Sequence, residues 1–472
     1  MSSNRSSLNK VYETKEELLE AAKSSLGIPF KELDKTHRLT SPKGGIGQMV
    51  EENVFEYSAN SSPEPDFSNL GIELKVSPMI KKADNTYRAK ERMVLNIIGY
   101  MTENLDNFEK SHFWHKNKEL LMMFYEHNYN EPKEEWFLQE MLDFQWPKED
   151  LIIVKQDWKK ITSKIKQGKA HELSESDTLY LGACTKGSTA AKSLVDQPNS
   201  SIKAKQRAYS LKQSYVNYIL KNYVLNKKNF EKLIKSNDEL EQSSFDEIIL
   251  NKIKPFIGMS QKELIKKLQI QPSKQTNASI INKIFKLNDD IEKTEEFQKA
   301  NIITKTIRIE KTGSIKESMS FPTFKFKEII KQEWEDSDFC NILSNTRFMF
   351  IIFQKIDGSE ENSYLKNVFF WSMPENDIEE ARKCWEQAKE VISKGVVLEP
   401  TSTGFSNNLP GQSDNKVAHI RPHASKAYYK FGNSFEQGNS KDGDELPDGR
   451  WMTKQCFWLN REYIKSIIKK ED

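Results

Sequence analysis

The chain has 472 residues, of which 37% are hydrophobic, 30% charged and 11% aromatic. It is too long for one ordinary core and too rich in aromatic residues for a disordered chain, so two folded domains are expected. Its 71 basic and 69 acidic residues nearly cancel, and a net charge of +2 points to no polyanionic partner by itself. No run approaches the roughly 18 apolar residues of a membrane span, and the start, MSSNRSSLNK, has no apolar leader core. Four cysteines without a C-x-x-C pair fit a reduced, cytoplasmic protein and exclude a zinc ribbon.

In chain order, a helix is predicted over 15–22 and another over 47–55, where Met49, Val50, Val54 and Phe55 share a face and Glu51 stands at its edge. The stretch LGIELKV, 70–76, alternates as a strand. Residues 118–126 and 150–156 read as buried strands, followed by a basic helix beginning at Trp158, Ile161 and Ile165; 178–184 reads as a further strand. Between 201 and 235, lysines and Arg207 are interleaved with Tyr209, Tyr215, Tyr218, Tyr223 and Phe230. That mixture suits phosphate contact and base packing, or equally a solvated helix face with a tyrosine stripe against a core. The charged stretch 225–240 is expected to be helical and to hold the domain boundary, giving domains 1–228 and 229–472. Residues 401–415 and 432–449 read as long loops.

The second half echoes the first in order. KGGIG (43–47) is matched by KPFIG (254–258), and DFSNLGIELK (66–75) without a gap by EFQKANIITK (296–305). KELLMMFY is matched by RFMFIIFQ, starting at Arg347, and AYSLKQSY (208–215) by CFWLNREY (456–463). A duplicated domain is the expectation.

Chemistry concentrates in SPEPDFSNLGIELKVSP, 62–78. Residues two apart in a strand share a face, so Glu73 and Lys75 project together, and the Pro-rich turn brings Asp66 to the end of that strand. Two carboxylates make an oxygen-rich site for a hard divalent cation such as Mg²⁺, and a lysine beside them can orient a water and stabilise charge on a phosphate. An isolated E-x-K is far more often an exposed charge pair. No H-E-x-x-H, H-N-H or P-loop pattern competes with it.

KGGIGQMVE, PDF and GIELK in this order resemble the nuclease of the MutH mismatch-repair protein and of GATC-cutting type II restriction endonucleases, within the PD-(D/E)xK group. The closest likeness is to two-domain members whose second domain is a catalytically silent copy. The resemblance implies an α/β fold of two tandem MutH-like domains, each a mixed central sheet flanked by helices. It implies metal-binding roles for Asp66 and Glu73 with Glu51 as an additional acid, a catalytic role for Lys75, and a further active-site lysine at Lys116, with Lys118 the alternative. Lys43, Lys186, Arg207 and Tyr209 fall where the family contacts DNA, although Cys184 stands where an arginine is expected two places before Lys186.

In the second half Ile303 replaces Glu73, Glu296 stands for Asp66, Lys262 falls opposite Glu51 and Asn345 near Lys116, so Mg²⁺ should not be held productively there. HIRPHASK, with Arg421, His423 and Lys426, looks more like the family's recognition segment than its first-half counterpart does. The expected protein is a type II restriction endonuclease cutting double-stranded DNA, with a DNA-binding allosteric second domain, a DNA-induced dimer, and a cognate DNA methyltransferase as functional partner. A MutH-like nickase and a non-catalytic DNA-binding regulator are the rivals.

Overall fold

The computed structural model describes residues 10–40, 45–58, 62–82, 85–128, 130–186, 194–225, 230–273, 276–316, 318–357, 362–402 and 404–471. Contacts divide the chain into two units, Met1–Ile248 with Lys293–Asn301, and Ile249–Glu292 with Ile302–Asp472. Among the described residues no helix is long and apolar enough to cross a membrane, and Cys184, Cys340, Cys384 and Cys456 are free thiols.

In the first unit the strands are β1 (Ile72–Lys81), β2 (Tyr87–Ala89), β3 (Met93–Ile97), β4 (Glu119–Glu126), β5 (Leu138–Gln145), β6 (Leu181–Thr185), β7 (Leu194–Gln197), β8 (Ser200–Lys205) and β9 (Arg207–Leu211). A mixed sheet runs β2-β1-β4-β5, with β1 and β4 parallel and the outer pairs antiparallel. Leu120–Phe124 are buried without a break, as expected of a parallel strand covered on both faces. An antiparallel sheet β3-β9-β6 and the hairpin β7-β8 complete the unit.

The second unit contains β10 (Ile302–Ile309), β11 (Met319–Thr323), β12 (Arg347–Lys355), β13 (Ser363–Trp371), β14 (Leu398–Thr401), β15 (Gly404–Asn407), β16 (Ala418–Pro422), β17 (Tyr429–Phe431), β18 (Phe435–Gln437), β19 (Gly443–Glu445), β20 (Trp451–Thr453) and β21 (Gln455–Leu459). Its mixed sheet is β10-β12-β13, again with a parallel first pair, and β11-β21-β16 repeats the antiparallel sheet of the first unit.

The duplication is borne out residue by residue. Met93 pairs Leu211, Val94 pairs Ser210, the register then shifts, and Ile97 pairs Ala208. In the second unit Met319 pairs Leu459, Ser320 pairs Trp458, the register shifts, and Thr323 pairs Cys456. A bulge at the same rung is a strong marker of common construction. Each unit also has a long helix opened by a proline, Lys148–Lys166 after Pro147 and Glu375–Lys394 after Pro374. The tyrosines of the matched AYSLKQSY and CFWLNREY segments hydrogen-bond an aspartate in its first turn: Tyr215 to Asp150 at 2.8 Å and Tyr463 to Asp377 at 2.6 Å.

Three expectations need correction. Residues 150–156 are helical, not a strand: burial recurs at Ile153/Val154, Asp157/Trp158, Ile161/Thr162 and Ile165, a helical period that the apolar run LIIV conceals. Among its described residues, helix in the 225–240 stretch is confined to the start of Asn237–Gln242. The long loops of the second half carry β15, β18 and β19.

Candidate active site

The site begins with a tight reversal. Phe67 and Ile72 bridge antiparallel, with Phe67 N–H donating to Ile72 O at 2.9 Å. Gly71 closes the loop at φ +69°, a conformation that disfavours any residue with a Cβ. The reversal lays Asp66 alongside Glu73. The Asp66 N–H donates to Glu73 Oε2 at 3.1 Å, and Leu74 N–H donates to Asp66 Oδ2 at 3.0 Å. A Cβ at Gly71 meets nothing within 4 Å, so Gly71→Ala is expected to cost only the backbone strain, about 1 kcal/mol, read as a lowered urea midpoint.

Glu73 is 2% exposed. Lys75 Nζ donates to its Oε1 at 2.7 Å and to Leu95 O at 3.0 Å. Because β1 and β4 are parallel, with Ile72 opposite Glu119, the segments that lead into them meet at one end of the sheet. The segment leading into β4 is the helix His112–Asn117, whose N-cap Ser111 accepts from Trp114 N–H. Its last turn places Lys116 Nζ 3.3 Å from Glu73 Oε2 and lets it donate to the carbonyls of Ser62 at 2.9 Å and Glu64 at 2.7 Å. Lys118 is exposed; Lys116 is the lysine that converges. Glu51 lies in the wide helical turn Val50–Val54. Its neighbour Glu52 is held by Arg38.

Burial, then the charges of Asp66 and Glu73, push the Glu51 carboxyl up to about 7. Burial, then Glu73, push Asp66 up to about 6 against the pull of Lys75 and Lys116. Acids that resist ionising near neutral pH mark excess negative charge in a desolvated place, which a divalent cation would relieve. Asp66 and Glu73 also match the one or two carboxylates that a Mg²⁺-like ion takes. Among the described residues no three His, Cys, Asp or Glu side chains form a ready-made cage, in keeping with Glu73 oxygens engaged by two lysines. The donor chemistry fits a divalent ion that completes its shell with water and phosphate oxygens.

The other residues singled out from sequence are scattered. Lys43 lies outside the described residues. Lys186 follows β6, its N–H bonded to Gln206 O at 2.8 Å. Arg207 and Tyr209 are 3% and 0% exposed; Arg207 Nη1 donates to Ala183 O at 2.8 Å and Tyr209 packs on Phe113. The structure therefore corrects the expectation that they reach DNA: β9 is buried along its whole length. In the second unit Arg421, His423 and Lys426 are exposed. The Arg421 guanidinium stands 4.6 Å from the centre of the Trp458 ring, and the His423 ring lies 5.6 Å from it. Cys184 pairs Ala208 as Arg421 pairs Cys456, and Lys186 and His423 each bond the residue before their neighbouring strand, Gln206 and Lys454. Arg421 thus occupies the rung of Cys184, and His423 that of Lys186.

The second unit's counterpart of the metal cluster differs from the gapless sequence match. Glu296 accepts from the N–H groups of Leu233 and Ile234 at 3.0 and 2.9 Å and serves as a backbone cap. The residue that does what Asp66 does is Glu292, accepting from Thr304 N–H at 2.7 Å as Asp66 accepts from Leu74. Strand register also sets Arg347 opposite Ile302 as Glu119 is opposite Ile72. The match of 118–125 to 347–354 is therefore one residue out, and Asn345 corresponds to Asn117 rather than Lys116. Ile303 does stand at the rung of Glu73, and Lys262 is exposed.

A family model for the DNA mismatch repair enzyme MutH matches residues 55–157 and again 285–383. The chain is 36% identical to the type II restriction enzyme Sau3AI of Staphylococcus aureus, over 97% of this chain and 99% of that one. The chain belongs to the MutH and Sau3AI family. DNA mismatch repair protein MutH of Pasteurella multocida is 27% identical over 34% of this chain and 73% of its own length, and that of Vibrio campbellii 26% over 44% and 94%. The mismatch repair proteins thus match only part of this chain, whereas the restriction enzyme matches both units. The first unit carries the cluster of Asp66, Glu73, Lys75 and Lys116, and the second has Ile303 at the rung of Glu73.

Proposed function

We propose that the chain is a type II restriction endonuclease that hydrolyses double-stranded DNA with Mg²⁺ at a short site, 5′-GATC-3′, leaving 5′-phosphate ends. The observation that carries this is buried Glu73 clasped by Lys75 and Lys116 beside Asp66, in a chain related end to end to a restriction enzyme. Asp66 and Glu73 would hold the ion, and Glu51 would supply a further acid at its rim. When bound, a divalent ion supplies charge neutralisation at the scissile phosphate. Lys75, fixed by Glu73 and Leu95 O, orients the attacking water and donates to the charge that develops on the phosphate. Lys116 holds Glu73 in place and ties down the turn that carries Asp66. The specificity for GATC rests on family likeness.

One complete set of acids and lysines among the described residues of the chain suits a DNA-induced dimer that cuts both strands. Four free thiols suit a cytoplasmic setting, with a cognate DNA methyltransferase protecting the host's own sites. The test is digestion of a plasmid of known sequence with Mg²⁺ and mapping of the ends; an intact plasmid overturns the proposal. The MutH likeness favours a nickase as the second reading, and cutting of both strands by the purified protein alone rejects it.

The second unit, with Arg421, His423 and Lys426 displayed on and after β16, binds a second copy of the site and raises the cutting rate. Arg421→Ala is expected to weaken that binding by about 1–3 kcal/mol and to abolish the rate difference between one-site and two-site substrates. An unchanged difference would show that Arg421 does not serve the effector site.

A further inference from the structure

The second unit has more than lost a metal site. β10 keeps Lys305 where β1 has Lys75, but with Ile303 at the rung of Glu73 the ammonium has no carboxylate partner on its own strand. Among the described residues no hydrogen bond or ion pair reaches Lys305 Nζ. Burial depresses its pKa, with Glu292 the charged neighbour that opposes this. A desolvated cation without a close partner is costly, and an anion bound beside it removes the cost.

Lys305 lines a cleft of about 350 Å³ whose walls also carry Arg308, Lys316, Lys355 and the hydroxyls of Ser318 and Ser320. Against these cations, the one carboxylate among the described residues of the lining is Glu310, shared by Lys355 at 3.1 Å and Lys316 at 3.5 Å. The cleft's described residues therefore carry an excess of positive charge beside hydroxyl donors. Ammonium and hydroxyl groups around a partly desolvated space suit the tetrahedral oxygens of a phosphate.

We propose that this cleft grips a backbone phosphate of duplex DNA directly, through Lys305 and without a metal ion. The difference between the two units is one of sign: with Ile303 where the first unit has Glu73, the same scaffold presents a cation in place of a carboxylate. The inference rests on the reading above that the second unit binds duplex DNA, and it names the residue and the group that meet there.

The test uses the full chain in EDTA, so that no cleavage intervenes, with a labelled duplex carrying the proposed site. The slope of log K against log[KCl], summed over the duplexes bound by one chain, is measured for wild type, Lys305→Met and Ile303→Glu. A lysine released from one phosphate lowers the slope by about 0.9, so the affinity lost between roughly 50 and 200 mM salt shrinks by about 3.5-fold. Lys305→Met is expected to show this. Ile303→Glu is expected to show it too, because the new carboxylate claims Lys305 as Glu73 claims Lys75, and it serves alone if Lys305→Met fails to fold. Lys383→Met, on the exposed face of the helix Glu375–Lys394, should leave the slope unchanged.

Inorganic phosphate, read by its effect on melting temperature, separates the two sources of the anion. Protection that depends on Lys305 without any change in the duplex slope means that the cleft takes small anions, and overturns the proposal. An unchanged slope in folded Lys305→Met overturns it outright. Failure of the wild type to bind duplex at all would instead sink the nuclease reading on which it stands.

Discussion

Glu73→Ala and Lys75→Ala are each expected to lower the rate of duplex cleavage by at least about 10²–10³-fold, while shifting DNA binding in opposite directions. Glu73 lies between two ammonium groups, Lys75 at 2.7 Å and Lys116 at 3.3 Å. Its removal takes away a carboxylate proposed to hold the ion and frees both lysines toward the phosphate backbone, so binding in EDTA tightens at low salt and its salt slope steepens by up to about 0.9 per lysine engaged. Removing Lys75 leaves Glu73 with Lys116 alone, makes the site more negative and weakens binding. Two inactive variants with diverging salt slopes would identify the clasp as the electrostatic pivot of the site. A Glu73→Ala protein that retained more than about a tenth of wild-type cleavage would remove Glu73 from the chemistry.

Lys299→Met is expected to be the most destabilising single change in the first unit, costing about 3–5 kcal/mol. Lys299 is 1% exposed and donates to Asp150 at 2.6 Å and to Glu295 at 2.5 Å. It also sits 4.4 Å from the centre of the Tyr218 ring. Methionine fills the volume but strands two buried carboxylates. The loss is expected to depend on pH. Burial already raises Asp150 above its usual 3.8 despite the ammonium, and without Lys299 the rise is larger. A group with a raised folded-state pKa stabilises below its unfolded value and loses that contribution as pH rises through the folded one. The variant should therefore lie nearer wild type at pH 5 than at pH 8 in urea unfolding; the opposite order would mean that Asp150 is not the stranded charge.

The candidate cluster was legible because KGGIGQMVE, PDF and GIELK stand in one order; the alternation of Glu73 and Lys75 with Ile72, Leu74 and Val76 alone reads equally as an exposed charge pair. Lys116 followed from the resemblance, and its convergence on Glu73 follows from the parallel pairing of β1 with β4. Other features were hidden for physical reasons. Arg207 and Tyr209 resemble a DNA-binding alternation, but β9 is covered on both faces, so both side chains turn into the protein. Glu292 escaped because its link to Thr304 spans 12 residues where that of Asp66 to Leu74 spans 8. A gapless comparison lands on Glu296 instead. Trp458, the surface on which Arg421 rests, carries no motif, and only the pairing of β16 with β21 brings the two together.

The helix Glu295–Ala300, which precedes β10 in the chain, belongs to the first unit. Its Lys299 neutralises Asp150, and its Glu296 caps the backbone at Leu233 and Ile234. A truncation ending at residue 228 discards that ammonium and leaves the aspartate bare, so poor yield of such a fragment would say nothing against its chemistry. Anyone dissecting the first unit should carry the stretch through Asn301 along, or replace Asp150 with a neutral side chain at the same time.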